Sequence, residues 1–221
     1  MNFAGWDNEV IDFLRKHDIT CLQGNHDEGI GYGHNHFNYS SKTEAQKQFG
    51  VSSIAFVNKT IRPNNRNYLK SLPFSIKLDF RYPFHSARIA MVHGSPLSNT
   101  DYILPDTSEQ QLSEMLDEAN ADILVMGHTH KPFHKAVYSE AENNKLYRHI
   151  INAGSVGKSK HGNNRACYAI LNIDESLQLS DPASVGVHFF YVPYNTDKVM
   201  AKIHSIGLGN AYDDFLINGE G

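Results

Sequence analysis

The 221 residues carry 20 Lys and Arg against 24 Asp and Glu, a net charge of −4 with neutral histidine, and no basic run or stripe offers a sequence-independent grip on a nucleic-acid duplex. With 40% hydrophobic and 20% charged residues the chain can bury a core, which excludes a globally disordered protein. No apolar run approaches the length of a membrane span, and the 13 histidines are the compositional feature that points to metal chemistry.

In chain order, residues 7–17 place Val10, Ile11, Phe13 and Leu14 on one helical stripe that Asp7 can cap. Residues 19–23 read as a buried strand. Residues 28–41, rich in Gly, Asn, His and Ser, read as a loop. Short helices are predicted over 43–49 and 52–59, and another over 62–72 with Pro63 in its first turn. Residues 75–80 alternate as a half-exposed strand does. The runs 87–94 and 121–130 are short and apolar and stop at Gly and His. Between them a helix over 108–120 puts Leu112, Met115, Leu116 and Ala119 on one face, with Ser108 as its cap. Beyond 130, strands over 133–139, 145–154, 165–173 and 186–194 alternate with turn residues, and a helix over 196–207 closes the chain. One α/β domain over 1–221 with two packed sheets is the architecture expected. Cys21 and Cys167 sit far apart in apolar runs and read as buried reduced thiols. The N-terminus has neither a basic region nor an apolar leader, so a cytoplasmic location is expected.

Four apolar runs end alike: in Gly24-Asn25-His26-Asp27, in His93-Gly94, in Gly127-His128-Thr129-His130 and in Ala153-Gly154-Ser155. In open α/β sheets, ligands bind beyond the carboxyl ends of the strands, and Gly beside a ligand-type residue lets the backbone turn sharply there. On an extended backbone His128 and His130 would point to the same side. With His93 and the amide of Asn25 they make a nitrogen-and-oxygen donor set suited to Mn²⁺, Fe, Zn²⁺, Co²⁺ or Ni²⁺. His34 and His36 share the spacing but fall in the loop, where solvation accounts for them.

The ordered set GNHD, VHG and GHTH resembles the calcineurin-like metallophosphoesterase superfamily, and more closely its small bacterial and archaeal phosphodiesterase branch. The similarity runs over essentially the whole chain, from NEVIDFLRKH before GNHDE to VPYNTDKVMAKIHSIGL near the end. The resemblance implies a four-layer α/β/β/α sandwich with two divalent transition-metal ions at the sheet edge, Mn²⁺ foremost and Fe, Zn²⁺, Ni²⁺ or Co²⁺ as alternatives. It implies that Asn25, His93 and His128 bind one ion and His130 the other. It implies that His26 faces the phosphate and leaving group while Asp27 orients its ring. The implied reaction is hydrolysis of a small phosphoester by in-line attack of a metal-bound hydroxide. Ser155 and Arg165, near the strand tips, are candidate substrate contacts. A homo-oligomer is compatible with the sequence.

The family pattern has two earlier motifs, an Asp-x-His and a Gly-Asp, that supply three ligands including the acidic bridge between the ions. Neither appears in this sequence, which reads as a fold whose first β-α-β unit is missing. Two alternatives to an enzyme follow. One is a non-catalytic scaffold module on the same fold, resembling the retromer scaffold subunit. The other is an inactive fragment of a truncated gene.

Overall fold

The computed structural model describes residues 4–37, 43–82, 86–141 and 144–219. The first half is helical, with α1 (Asp7–Lys16), α2 (Asn25–Gly31), α3 (Glu44–Thr60) and α4 (Pro63–Ser71). Ile11, Ile30, Ile54, Val57 and Leu69 interlock these four helices in one buried cluster. Pro63 opens α4, where its missing N–H has no helical partner to lose. Asp7 lies inside α1 and is buried rather than serving as its cap, and burial raises its carboxyl pKa.

Three expectations change here. Residues 43–59 form one helix instead of two, because Phe49, Ser53, Ile54 and Val57 are buried on either side of Gly50. Their burial outweighs the ~1 kcal/mol that Gly costs in a helix interior. The predicted loop begins late, since α2 runs through Gly31 on the anchor of the fully buried Ile30; 38–41 lie outside the described residues. Residues 19–23 join no ladder among the described residues. The Gln23 N–H donates to the Pro73 carbonyl (2.8 Å), and Ile19 is 42% exposed. A run that borders helices instead of strands has no partner for pleated pairing, and its Cys21 is only half-buried; Cys167 is buried as expected.

The second half contains β1 (Ile76–Arg81), β2 (Ser86–Met91), α5 (Glu109–Ala119), β3 (Ile123–Met126), β4 (Phe133–Ala141) and β5 (Asn144–Asn152). It continues with β6 (Ala166–Asn172), β7 (Gly186–Val192), α6 (Thr196–Ser205) and the unanticipated α7 (Asp213–Asn218). The larger sheet has the order β1-β2-β3-β5-β4, in which β2, β3 and β5 are parallel and the edge strands β1 and β4 are antiparallel. Ser108 caps α5 by accepting from the Gln111 N–H (3.3 Å). The Leu112, Leu116 and Ala119 face of α5 packs on Ala90, Leu124, Met126 and Ile150. Each buried Leu contributes about 2 kcal/mol. The other sheet face, with Ala87, Ile89, Ile123 and Ile151, meets Leu171, Val187 and Phe189 from the β6–β7 pair. The result is a layered α/β fold with stacked sheets around a mixed central one. Outward on the small pair, Tyr168 and Phe190 stack at 5.1 Å and remain half-exposed. Among the described residues no helix is long and apolar enough to cross a membrane.

Candidate metal and phosphate site

Parallel pairing puts the carboxyl ends of β2, β3 and β5 at one edge. The Gly127 N–H donates to the His93 carbonyl (3.0 Å) and the Ala153 N–H to the Met126 carbonyl (2.9 Å), which aligns the three tips. The first turn of α2 delivers Asn25 to the same place. His93 Nε2 lies 3.0 Å from Asn25 Oδ1 and 3.1 Å from His128 Nδ1. Gly24 permits this approach, since a Cβ there would come within 3.0 Å of His93 Cε1. Asp27 accepts from the Gly24 N–H (3.0 Å) and so closes the amino end of α2.

His128 and His130 do not sit on extended backbone. Their φ angles are 59° and 60°, in the left-handed region, and the two rings diverge. His128 turns to His93 and to Tyr102, with centroids 5.0 and 4.6 Å away. His130 Nδ1–H donates to the Lys158 carbonyl, and the His130 ring shares a cavity wall with His26. Left-handed backbone at a β-carbon-bearing residue costs about 1–2 kcal/mol and persists only where its surroundings hold it. Asn152, fully buried, does the holding. Its Nδ2 donates to the Gly127 carbonyl (2.6 Å) and to Thr129 Oγ1 (3.0 Å), and its Oδ1 accepts from the Gly154 N–H (3.0 Å).

Burial, then the neighbouring His128, holds the His93 imidazole down at about 4. Burial and then Lys160 bring His130 to about 3 and lower His128. Burial above all, with Lys158 among the lesser causes, pushes His26 well below the usual imidazole range. All four rings are neutral at pH 7, the state in which imidazole ligates metals. The single Nε2 proton of His93 cannot serve both Asn25 Oδ1 and His128 Nδ1, and His128 Nε2 is buried without a hydrogen-bond partner. A cation among the three donors resolves the first conflict. Donors about 2.1 Å from an ion and at right angles to each other are about 3.0 Å apart, the spacing seen here. His130 has the form of a ligand too, because a backbone carbonyl fixes Nδ1–H and leaves Nε2 as the acceptor. Among the described residues no group of three or more His, Cys, Asp or Glu could hold a metal. The fit to one divalent ion therefore depends on the Asn25 amide.

Ser155 lines the cavity with His26 and His130, whereas Arg165 is exposed and is not part of that wall. Ser95 shapes its own turn, donating to Asp101 and accepting from the Leu97 and Ser98 N–H groups. His34 and His36 are exposed. Two contributors escaped the sequence reading, Tyr102 against His128 and Lys158, while Asn152 was placed at a strand tip without its clamp. The Lys158 Nζ sits 3.7 Å from the Tyr212 ring centroid and 4.3 Å from that of Phe215, and burial, then Lys160, lowers its pKa to about 6. Asn152 two residues before Gly154, at the end of a strand, was the available signal for the clamp; Lys158 had none.

The model of the calcineurin-like phosphoesterase superfamily domain matches residues 6–176. The chain belongs to the calcineurin-like phosphoesterase superfamily. Membership supports a metal-dependent phosphoesterase, a hydrolase of phosphate esters. An uncharacterized protein of Methanocaldococcus jannaschii, MJ0912, is 28% identical over 210 residues, covering 89% of this chain and 74% of that protein. The hypothetical protein PH1004 from Pyrococcus horikoshii superposes with a TM-score of 0.71 at 16% identity, over 99% of this chain and 82% of that one. A metallophosphoesterase from Sphaerobacter thermophilus superposes with a TM-score of 0.66 at 21% identity, over 95% and 80%. At these identities the two structures speak for the fold of this superfamily member.

Proposed function

We propose that this calcineurin-like protein is a phosphodiesterase that works with a divalent ion held by Asn25, His93 and His128, with His130 beside it. The observation that carries this reading is the meeting of Asn25 Oδ1, His93 Nε2 and His128 Nδ1, at successive spacings of 3.0 and 3.1 Å, at the carboxyl ends of parallel strands. A divalent ion at those donors supplies polarisation of the phosphoryl oxygens and acidification of water. One water is consumed: its oxygen bonds to phosphorus, the P–O bond to the alcohol breaks, one proton ends on the alcohol and one is released.

His26 follows Asn25 directly in α2 and lines the cavity that His130 also faces. Neutral at pH 7, it donates an N–H hydrogen bond to the leaving oxygen, and the negative charge of a bound phosphate favours its protonation there. Asp27 keeps His26 in place by closing the first turn of α2. Ser155 contributes a hydroxyl to the phosphate end, and a small phosphoester is the substrate. The test is hydrolysis of bis-p-nitrophenyl phosphate by the chain supplied with Mn²⁺. Metal-dependent turnover that His93→Ala abolishes supports the reading, and no turnover with Mn²⁺, Zn²⁺, Co²⁺ or Ni²⁺ sinks it.

A second reading, a non-catalytic module on the same fold, is favoured by one observation. The described residues bring no acidic side chain into the Asn25–His93–His128 donor set, and a bridged pair of ions needs a negative ligand. In that case the chain binds one ion tightly and turns over nothing.

A further inference from the structure

The cavity that His26 and His130 share is larger and less polar than phosphate requires. It measures about 470 Å³, within the range of small-molecule sites. His26, His130, Ser155 and Lys158 are polar members of its wall; much of the rest is aromatic and aliphatic, with Trp6, Val199, Tyr212 and Phe215 among them. The Lys158 Nζ lies against the Tyr212 and Phe215 rings, so an amine that a bound anion would protonate sits beside aromatic groups on one surface. Inorganic phosphate or a phosphorylated sugar would leave that apolar wall in contact with water. A ligand with an anionic head and a flat apolar body would satisfy both parts.

We propose that this cavity receives the alcohol portion of the ester and that this portion is aryl or similarly apolar, with the phosphate facing His26, Ser155 and Lys158. This rests on the reading of the site as a phosphoesterase. It adds a substrate class, aryl over short alkyl esters, chosen by the wall that α6, α7 and the 155–158 loop provide.

Trp6 is the one tryptophan in the chain and lines the cavity, so its fluorescence reports occupancy. Phenylphosphonate and methylphosphonate share a head group and carry a P–C bond that the hydrolytic step cannot break. Titrated into the full chain with Mn²⁺, phenylphosphonate should give a saturable change in Trp6 emission with a Kd at least tenfold below that of methylphosphonate. Val156 is a wall residue that is 75% exposed, and Val156→Glu should erase most of that difference without a change in far-UV circular dichroism. Tyr194→Ala, which shortens another wall residue, should weaken phenylphosphonate more than methylphosphonate. Equal affinities for the two phosphonates, or no saturable change with either, overturns the proposal. If phenylphosphonate is preferred but no phosphoester is hydrolysed, the cavity assignment stands and the phosphoesterase reading falls. If aryl and methyl esters are hydrolysed with equal kcat/KM, the reverse holds.

Discussion

Only Thr129 separates His128 from His130, yet their rings serve different neighbours: His128 Nδ1 lies 3.1 Å from His93 Nε2, and His130 Nδ1–H donates to the Lys158 carbonyl. The left-handed φ at both positions produces the divergence. Two histidines that would share one side on a strand are thereby divided between a donor cluster and a cavity wall.

That division predicts unequal metal phenotypes. His128→Ala should weaken the first Co²⁺ equivalent, followed by its visible absorption or by calorimetry, at least about tenfold. His130→Ala should leave that affinity within about threefold of the parent. If the two variants lose the first ion equally, the separate roles assigned to these rings are wrong.

The turn that imposes this geometry depends on Asn152, whose amide makes three hydrogen bonds with no exposure to water. Asn152→Leu removes them and leaves the Gly127 carbonyl and the Gly154 N–H without that partner. The expected loss is about 2–4 kcal/mol in urea unfolding, with weaker Co²⁺ binding as His128 is released. A loss below about 0.5 kcal/mol would count against the clamp.

Gly24→Ala tests the approach of α2 to β2. The added methyl meets the His93 ring at 3.0–3.2 Å. Ring displacement should cut metal affinity by about tenfold or more while stability falls by about 1–2 kcal/mol. Unchanged Co²⁺ binding would mean that His93 has room to retreat and still ligate.

Much of this arrangement was legible in the sequence, for reasons that can be named. Helices α1, α4 and α5 announce themselves through one-sided apolar spacing and local signals such as Pro63 and Ser108, and β2 and β3 through apolar runs that end in Gly and His. The same tips located Asn25, His93 and His128. What was not legible depends on distant chain. Residues 19–23 have the composition of a strand but, among the described residues, no strand pairs with them. Gly50 looks like a helix break until the burial of Phe49 and Ile54 is known. The orientation of His130 follows from φ angles that Asn152, 22 residues later in the chain, imposes. His134 and His149 lack ligand spacing, yet they pair across neighbouring strands at 2.9 Å.

That pair makes stability depend on pH. His149 is fully buried, and burial, then His134, holds its pKa at about 4 against an ordinary value of 6.5; His134 is lowered by burial as well. The unfolded chain binds more protons between those values, so the stabilisation is complete above pH 6.5 and is lost as pH falls through about 4. The other buried imidazoles act with the same sign. His149→Leu should therefore reduce, without abolishing, the fall in urea stability between pH 7 and pH 4.5, by about 1 kcal/mol. An unchanged pH slope in the variant would place the proton uptake elsewhere.

The role of His26 is separable from metal binding by choice of leaving group. A hydrogen bond to the departing oxygen matters little for p-nitrophenolate, which leaves readily as an anion, and more for phenolate, which is the stronger base. His26→Ala should lower kcat for p-nitrophenyl esters by about tenfold and for phenyl esters by about 10²–10³-fold, with the metal content unaltered. His26→Gln retains an N–H donor without imidazole's capacity to pass on a proton. It should recover part of the loss if hydrogen bonding to the neutral ring's N–H is what counts, and none if proton transfer is. Equal losses of His26→Ala on both ester types would remove His26 from the leaving group and leave it the packing role shown by its edge-on contact with the Phe37 ring at 5.0 Å.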